Sequence, residues 1–242
     1  MYPVICQIGP FTVYSYGVSL AVAVIVCAYL LKGEAKKNHL NPQVLMDMLF
    51  IVTISGIVGA RLFYIFLNLP YFLQNPAEVF MLHHGGLAWQ GGLVSGFLAT
   101  VFSIKKNKLP FLFTIDRLAP YIALGQSIGR IGCFFNGCCY GKEVAWGIYF
   151  PVHQARLHPT QLYDSLGLFI IFLALKKFQS LKKKEGEVFV LYLLSAAFLR
   201  FLVEFYRADH EIFLLGLSIF QVVSLGFILA AISTYLIIRR NK

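Results

Sequence analysis

Residues Leu45–Leu67 read LMDMLFIVTISGIVGARLFYIFL. Only Asp47 and Arg61 are charged in these 23 residues. A run of this length and polarity crosses a hydrocarbon core of about 30 Å as a helix. Six more stretches read the same way, at 12–31, 87–104, 111–130, 160–178, 187–207 and 213–238. Lipid offers backbone groups no partner outside their own segment, and no barrel-like alternation is present, so the spans are expected to be helical. The expected fold is therefore an all-α polytopic membrane protein with about seven transmembrane helices, forming one domain over residues 1–242.

Composition agrees with that reading. The 242 residues are 58% hydrophobic, 16% aromatic and only 13% charged, about half the charge of a soluble domain. A net charge of +10 raises the question of nucleic acid, but that partner needs a continuous basic face. Here the charges fall in short clusters between the spans, so no nucleic-acid partner is expected. The first eleven residues carry no Lys or Arg, so no basic leader of a cleaved signal peptide is read.

The clusters also set an orientation. Lys32, Lys36 and Lys37 follow the first span, and Lys105, Lys106 and Lys108 the third. Lys176, Lys177 and Lys182 to Lys184 follow the fifth, and Arg239, Arg240 and Lys242 the last. Together these are 14 of the 21 basic residues, against Lys142, Arg156 and Arg207 on the other side. By the positive-inside rule the N-terminus is outside and the C-terminus cytoplasmic. Residues 68–86 and 131–159 then become interfacial or cap segments of the outer face.

Orientation brings polar residues to one depth. Arg61, Arg130 and Arg200 fall in the outer portions of spans that run outward, with Glu204 one helical turn after Arg200. Tyr14, Tyr16, His84, Gln90, His158, Gln161 and Asp164 belong to the same level. Intramembrane charge is costly and normally faces a polar interior. Snorkelling and local ion pairs explain single arginines. Three that converge suggest an anionic ligand, and guanidinium suits phosphate; a phospholipid headgroup is the anion available at that depth.

Three motifs sharpen this reading. The first is His84-Gly-Gly-Leu-Ala-Trp-Gln90-Gly91-Gly92. The second is Gly129-Arg130-Ile-Gly-Cys133-Phe-Phe-Asn136-Gly-Cys138-Cys139-Tyr-Gly141. The third pairs His158-Pro-Thr-Gln-Leu-Tyr-Asp164 with Arg200-Phe-Leu-Val-Glu204-Phe-Tyr-Arg207. With Tyr16-Gly17 and Gly59-Ala60-Arg61, these resemble, in order and over nearly the whole chain, the prolipoprotein diacylglyceryl transferase family of bacterial inner membranes.

The resemblance implies a seven-helix enzyme of the plasma membrane whose site faces the outer leaflet. It implies transfer of diacylglyceryl from phosphatidylglycerol to the lipobox cysteine of a preprolipoprotein, with glycerol-1-phosphate leaving. No cofactor or metal is implied. Arg130 matches the phospholipid-binding arginine, here assigned to phosphate clamping together with Arg61. Arg200 matches a second essential arginine, assigned to the leaving group, with Glu204 orienting it. Asn136 and Gly141 match positions in the signature loop, and Tyr16 the tyrosine of the first span.

The sequence also departs from the family pattern. Gln90 stands where the family has a histidine, and glutamine takes no proton near neutral pH. His84 is the first substitute for a base, with His158 and Tyr16 behind it. Cys133 and Cys138 replace an Asn and a Glu of the signature, Ala196 replaces a tyrosine, and Lys142 an arginine. Cys133, Cys138 and Cys139 remain open between packing, a disulfide from Cys133 to Cys138 or Cys139, and a metal site. Two rival readings keep the lipid and change the rest: a transferase with another acceptor, or a non-catalytic lipid-binding membrane protein.

Overall fold

A computed structural model describes residues 2–9, 11–38, 40–81, 85–208, 212–214 and 216–240. The order begins with a hairpin of β1 (Val4–Ile8) and β2 (Phe11–Tyr14), then α1 (Ser15–Lys37), α2 (Pro42–Leu67), α3 (Leu69–Gln74) and a 3-10 turn at Pro76–Phe80. It continues with α4 (Trp89–Lys106), α5 (Phe111–Asn136), the pair β3 (Glu143–Phe150) and β4 (Ala155–Leu157), α6 (Thr160–Phe178) and α7 (Glu187–Glu204). A short pair, β5 (Ile212–Leu214) and β6 (Leu217–Ser218), leads into α8 (Ile219–Arg240). Each strand pair is antiparallel and two-stranded.

Among the described residues, seven helices reach 18 residues or more. Three of them, α1, α2 and α8, are long and apolar enough to cross a membrane. Burial is inverted relative to a soluble protein. Ile25, Phe50, Phe97 and Leu229 are more than half exposed, whereas Asp116, Gln161 and Glu204 are fully buried. Apolar side chains outward and polar ones inward is the arrangement lipid selects. The chain is a mostly helical membrane protein.

Three expectations are corrected. Residues 12–14 of the expected first span pair as a strand, and 213, 214, 217 and 218 of the expected last span belong to the β5–β6 pair. The fold is thus not purely helical. Residues 131–136, placed in the outer cap, continue α5 to Asn136.

The chain forms two compact units, one of residues 1–27 and 112–242, the other of 28–111. In the smaller unit α2 and α4 touch through glycine. A Cβ on Gly91 would lie 2.3 Å from the Gly59 carbonyl oxygen, and one on Gly59 2.8 Å from the Gly91 oxygen. Small residues let backbones approach where no water drives association. Asn41 caps α2 by accepting from the Gln43 N–H at 2.9 Å, with Pro42 at the first helical position.

The larger unit has a core of Ala119, Ala123, Leu175, Val188 and Tyr192 on α5, α6 and α7. Pro120 lies inside α5 and cannot donate to the Asp116 carbonyl four residues earlier. Gln179 Nε2 supplies the missing bond at 2.9 Å. The Asp116 carboxylate meanwhile accepts from the N–H groups of Gly186 and Phe189, at 2.8 and 2.9 Å, and pairs with Lys182 at 2.9 Å. One residue of α5 therefore holds the start of α7, whose first N–H groups have no helical partner.

Candidate active site

At the end of the larger unit where α5 and α7 finish and α6 and α8 begin, buried charges cluster. Asp164 on α6 pairs with Nε of Arg130 on α5 at 3.2 Å. Among the described residues nothing else pairs with Arg130, so its two terminal amino groups keep their donors. Its side chain is 27% exposed, which leaves it reachable.

Arg200 is built the same way. Its Nη2 meets Glu204 Oε2 at 2.7 Å, one turn along α7. Nη1 is buried and has no hydrogen-bond partner among the described residues. A buried donor without a partner is uncommon. Glu204 is held from three sides: by Arg200, by Nε of Arg207 at 3.7 Å, and by the Ser218 hydroxyl at 2.9 Å.

Ser218 is placed by a capping box at the start of α8. The Gln221 N–H donates to its hydroxyl at 3.2 Å, and the Ser218 N–H donates back to Gln221 Oε1 at 2.9 Å. This cluster sets three guanidiniums against two carboxylates. Asp164 is within electrostatic range of Arg200 and Arg207 as well as of Arg130, so the five groups form one field.

The loop after α5 is knitted to the same end. Gly141 donates to the His158 carbonyl at 2.9 Å, and Lys142 to the Tyr206 carbonyl at 2.8 Å. A Cβ on Gly141 would lie 2.5 Å from His158 Cβ and 2.6 Å from the Tyr206 oxygen. Gly141 thus lets two other segments pass close by. Thr160 Oγ1 and Gln161 Nε2 hold the Cys139 and Cys138 carbonyls at 2.7 and 2.6 Å. Tyr16 faces Gly132 on α5, and Asn136 ends that helix beside Cys138.

Cys133, Cys138 and Cys139 bring their sulfurs within 4.8 Å of one another. All five cysteines are free thiols, so neither expected disulfide is formed among the described residues. The Cys139 thiol is held well below its ordinary pKa because it accepts from the Cys133 and Cys138 thiols, with Arg207 and Arg130 adding positive charge against the cost of burial.

In the smaller unit Arg61 is engaged by backbone carbonyls. Its Nε donates to the Val79 carbonyl at 3.2 Å, and Nη1 to those of Gly85 and Gly86 at 2.5 and 3.1 Å. Nη2 donates to Glu78 and to Met81, the latter at 3.3 Å. All five guanidinium donors thereby fasten the segment after α3. Arg61 thus anchors the stretch that leads into α4. Gly85 and Gly86 turn there with φ of +82° and +79°, values open to glycine. Gln90 is exposed in the first turn of α4, and His84 lies outside the described residues.

Residues 3–237 match the family model described as prolipoprotein diacylglyceryl transferase. This chain belongs to the prolipoprotein diacylglyceryl transferase family. It is 34% identical to the phosphatidylglycerol–prolipoprotein diacylglyceryl transferase of Bacillus mycoides over 250 residues, 97% of this chain and 91% of that protein. To the enzyme of the same name from Clostridium tetani it is 32% identical, with both chains covered completely. To that of Trichormus variabilis it is 34% identical, covering 92% and 84%.

As a member of that transferase family, the chain carries more of its site than motif reading selected. Asp164, Arg207, Ser218 and Gln161 join the cluster in space, although depth and motif in the sequence do not single them out. Their signal was weak but physical: Thr160, Gln161 and Asp164 share one face of a helix, and Ser218 and Gln221 have capping-box spacing.

Proposed function

We propose that this chain moves the diacylglyceryl group of phosphatidylglycerol to the lipobox cysteine of a preprolipoprotein. The observation that carries the reading is the pair Arg130 and Arg200, each held on one edge by a buried carboxylate with donors left on the other. Such an edge fits a phosphodiester. Family membership supports the same substrates, which the relatives' names state for those proteins.

In the reaction the cysteine sulfur forms a bond to the glycerol carbon that bears the phosphate oxygen. The carbon–oxygen bond breaks, and its electron pair leaves with glycerol-1-phosphate. The thiol proton is lost to a base or to the departing phosphate. Arg130 holds the phosphate before transfer, and the unpaired Nη1 of Arg200 meets the charge that grows on the leaving oxygen. Glu204, buried among Arg200, Arg207 and Ser218, orients Arg200. Asn136 and Tyr16 line the approach.

The seven long helices are read as seven spans of a bacterial inner membrane. The N-terminus is then outside, the C-terminus cytoplasmic, and the charged end of the larger unit faces the outer leaflet. Separation of that end from the basic residues after α6 and α8 supports this orientation.

The test is mass spectrometry of a lipobox peptide mixed with purified protein and phosphatidylglycerol. A diacylglyceryl mass gain on the cysteine, abolished by Arg130→Ala, is expected. Absence of gain while a known family enzyme works in the same mixture would contradict the reading and favour another acceptor. A rise on Gln90→His would mark a weakened base position.

A further inference from the structure

We propose that Cys133, Cys138 and Cys139 form a binding site for one thiophilic d10 metal ion, of the zinc or copper(I) kind. The site has three protein sulfurs and a fourth position open to a ligand from solution. The proposal stands independently of the transferase reading.

The geometry of the loop is what carries it. Cys133 lies in the last turn of α5, and the chain then doubles back. Gly137 takes φ of +74° and Cys139 φ of +61°. For a residue with a Cβ the second value is strained, and such strain persists only where the surroundings hold it. They do: the Cys138 N–H donates to the Cys133 carbonyl at 3.2 Å and the Gly137 N–H to that of Phe134 at 3.2 Å. From α6, Thr160 and Gln161 hold the next two carbonyls.

With the backbone groups engaged, the sulfurs are what converge. All three lie within 4.8 Å of one another, each partly buried. Sulfurs bound to a common zinc ion at roughly 2.3 Å stand about 3.8 Å apart, so little movement closes the site. Packing asks nothing of sulfur positions and does not need a cysteine at positive φ. A disulfide would use two sulfurs and leave the third.

Three sulfur donors select soft ions over magnesium or calcium. Three thiolates on one divalent ion make a complex of one negative charge, and any proton still on a sulfur leaves to solvent. Arg130 and Arg207, within electrostatic range of Cys139, stabilise that charge. Cys-x-x-Cys spacing was absent, so linear sequence did not disclose the site; the returning loop creates it.

The test uses full-length, phosphine-reduced protein in detergent under anaerobic conditions, titrated with zinc against a chromophoric chelator. One ion per chain is expected. It should be retained by the Cys6→Ser/Cys27→Ser double variant and bound at least tenfold more weakly by each of Cys133→Ser, Cys138→Ser and Cys139→Ser. On unmutated protein, zinc should protect these three thiols, and not Cys6, from iodoacetamide in peptide mapping. No stoichiometric binding, binding that depends on Cys6 or Cys27, or alkylation of the three unaffected by zinc would overturn the site.

Discussion

Arg130 and Arg200 each meet a carboxylate on one side, Asp164 and Glu204, and that pairing fixes the direction of the remaining donors. The planar fork of guanidinium is what makes the other edge useful to a phosphate. Lysine keeps the charge and loses the fork. Arg200→Lys is therefore expected to lower kcat/KM for transfer by about 100-fold, the order found for loss of one transition-state donor. Steady-state kinetics with a lipobox peptide checks this, and an unchanged value would mean that charge alone suffices. Depth in the sequence groups these two arginines with Arg61, and helical spacing discloses only the pairing of Arg200 with Glu204. A guanidinium that ends on five carbonyls cannot be told from one that faces a ligand by position in a span; only the turn at Gly85 and Gly86, far along the chain, makes the difference. The closeness of Gly141 to His158 and Tyr206 is hidden from the sequence for the same reason.

Helices were legible wherever apolar residues ran on for about 20 positions. Their ends were not. Phe11–Tyr14 and Phe213–Ser218 are as apolar as the helices they precede, so hydropathy alone merged strands into spans. Gly132 inside α5 hid the continuation of that helix to Asn136. The contact of α2 with α4 is tight enough to test. Gly91→Ala brings a methyl against the Gly59 carbonyl, and such overpacking costs about 1–3 kcal/mol; thermal unfolding in detergent should show the loss. Asp116→Ala removes three charge-assisted or backbone bonds at the start of α7 and leaves Lys182 with less of its counter-charge. A destabilisation of about 3 kcal/mol is expected, read in the same way, with Gln179→Leu causing a smaller loss through the Asp116 carbonyl.

At the scale of the larger unit, charge is segregated by end. Asp116, Lys176, Lys182 and the basic tail of α8 lie opposite Arg130, Arg200 and Glu204 within the larger unit. Fusions report the resulting topology. A green fluorescent protein joined after Lys242 is expected to fluoresce, and alkaline phosphatase joined after Gln154 to be active, whereas the reverse pattern would invert the protein in the membrane. The most direct measurement of the central claim is phosphatidylglycerol affinity of purified wild type and Arg130→Ala in nanodiscs, followed by native mass spectrometry. Wild type should hold one phosphatidylglycerol and Arg130→Ala should bind it at least tenfold more weakly, with helical content unchanged. Equal affinity in the two proteins would contradict the assignment of Arg130 to the phosphate.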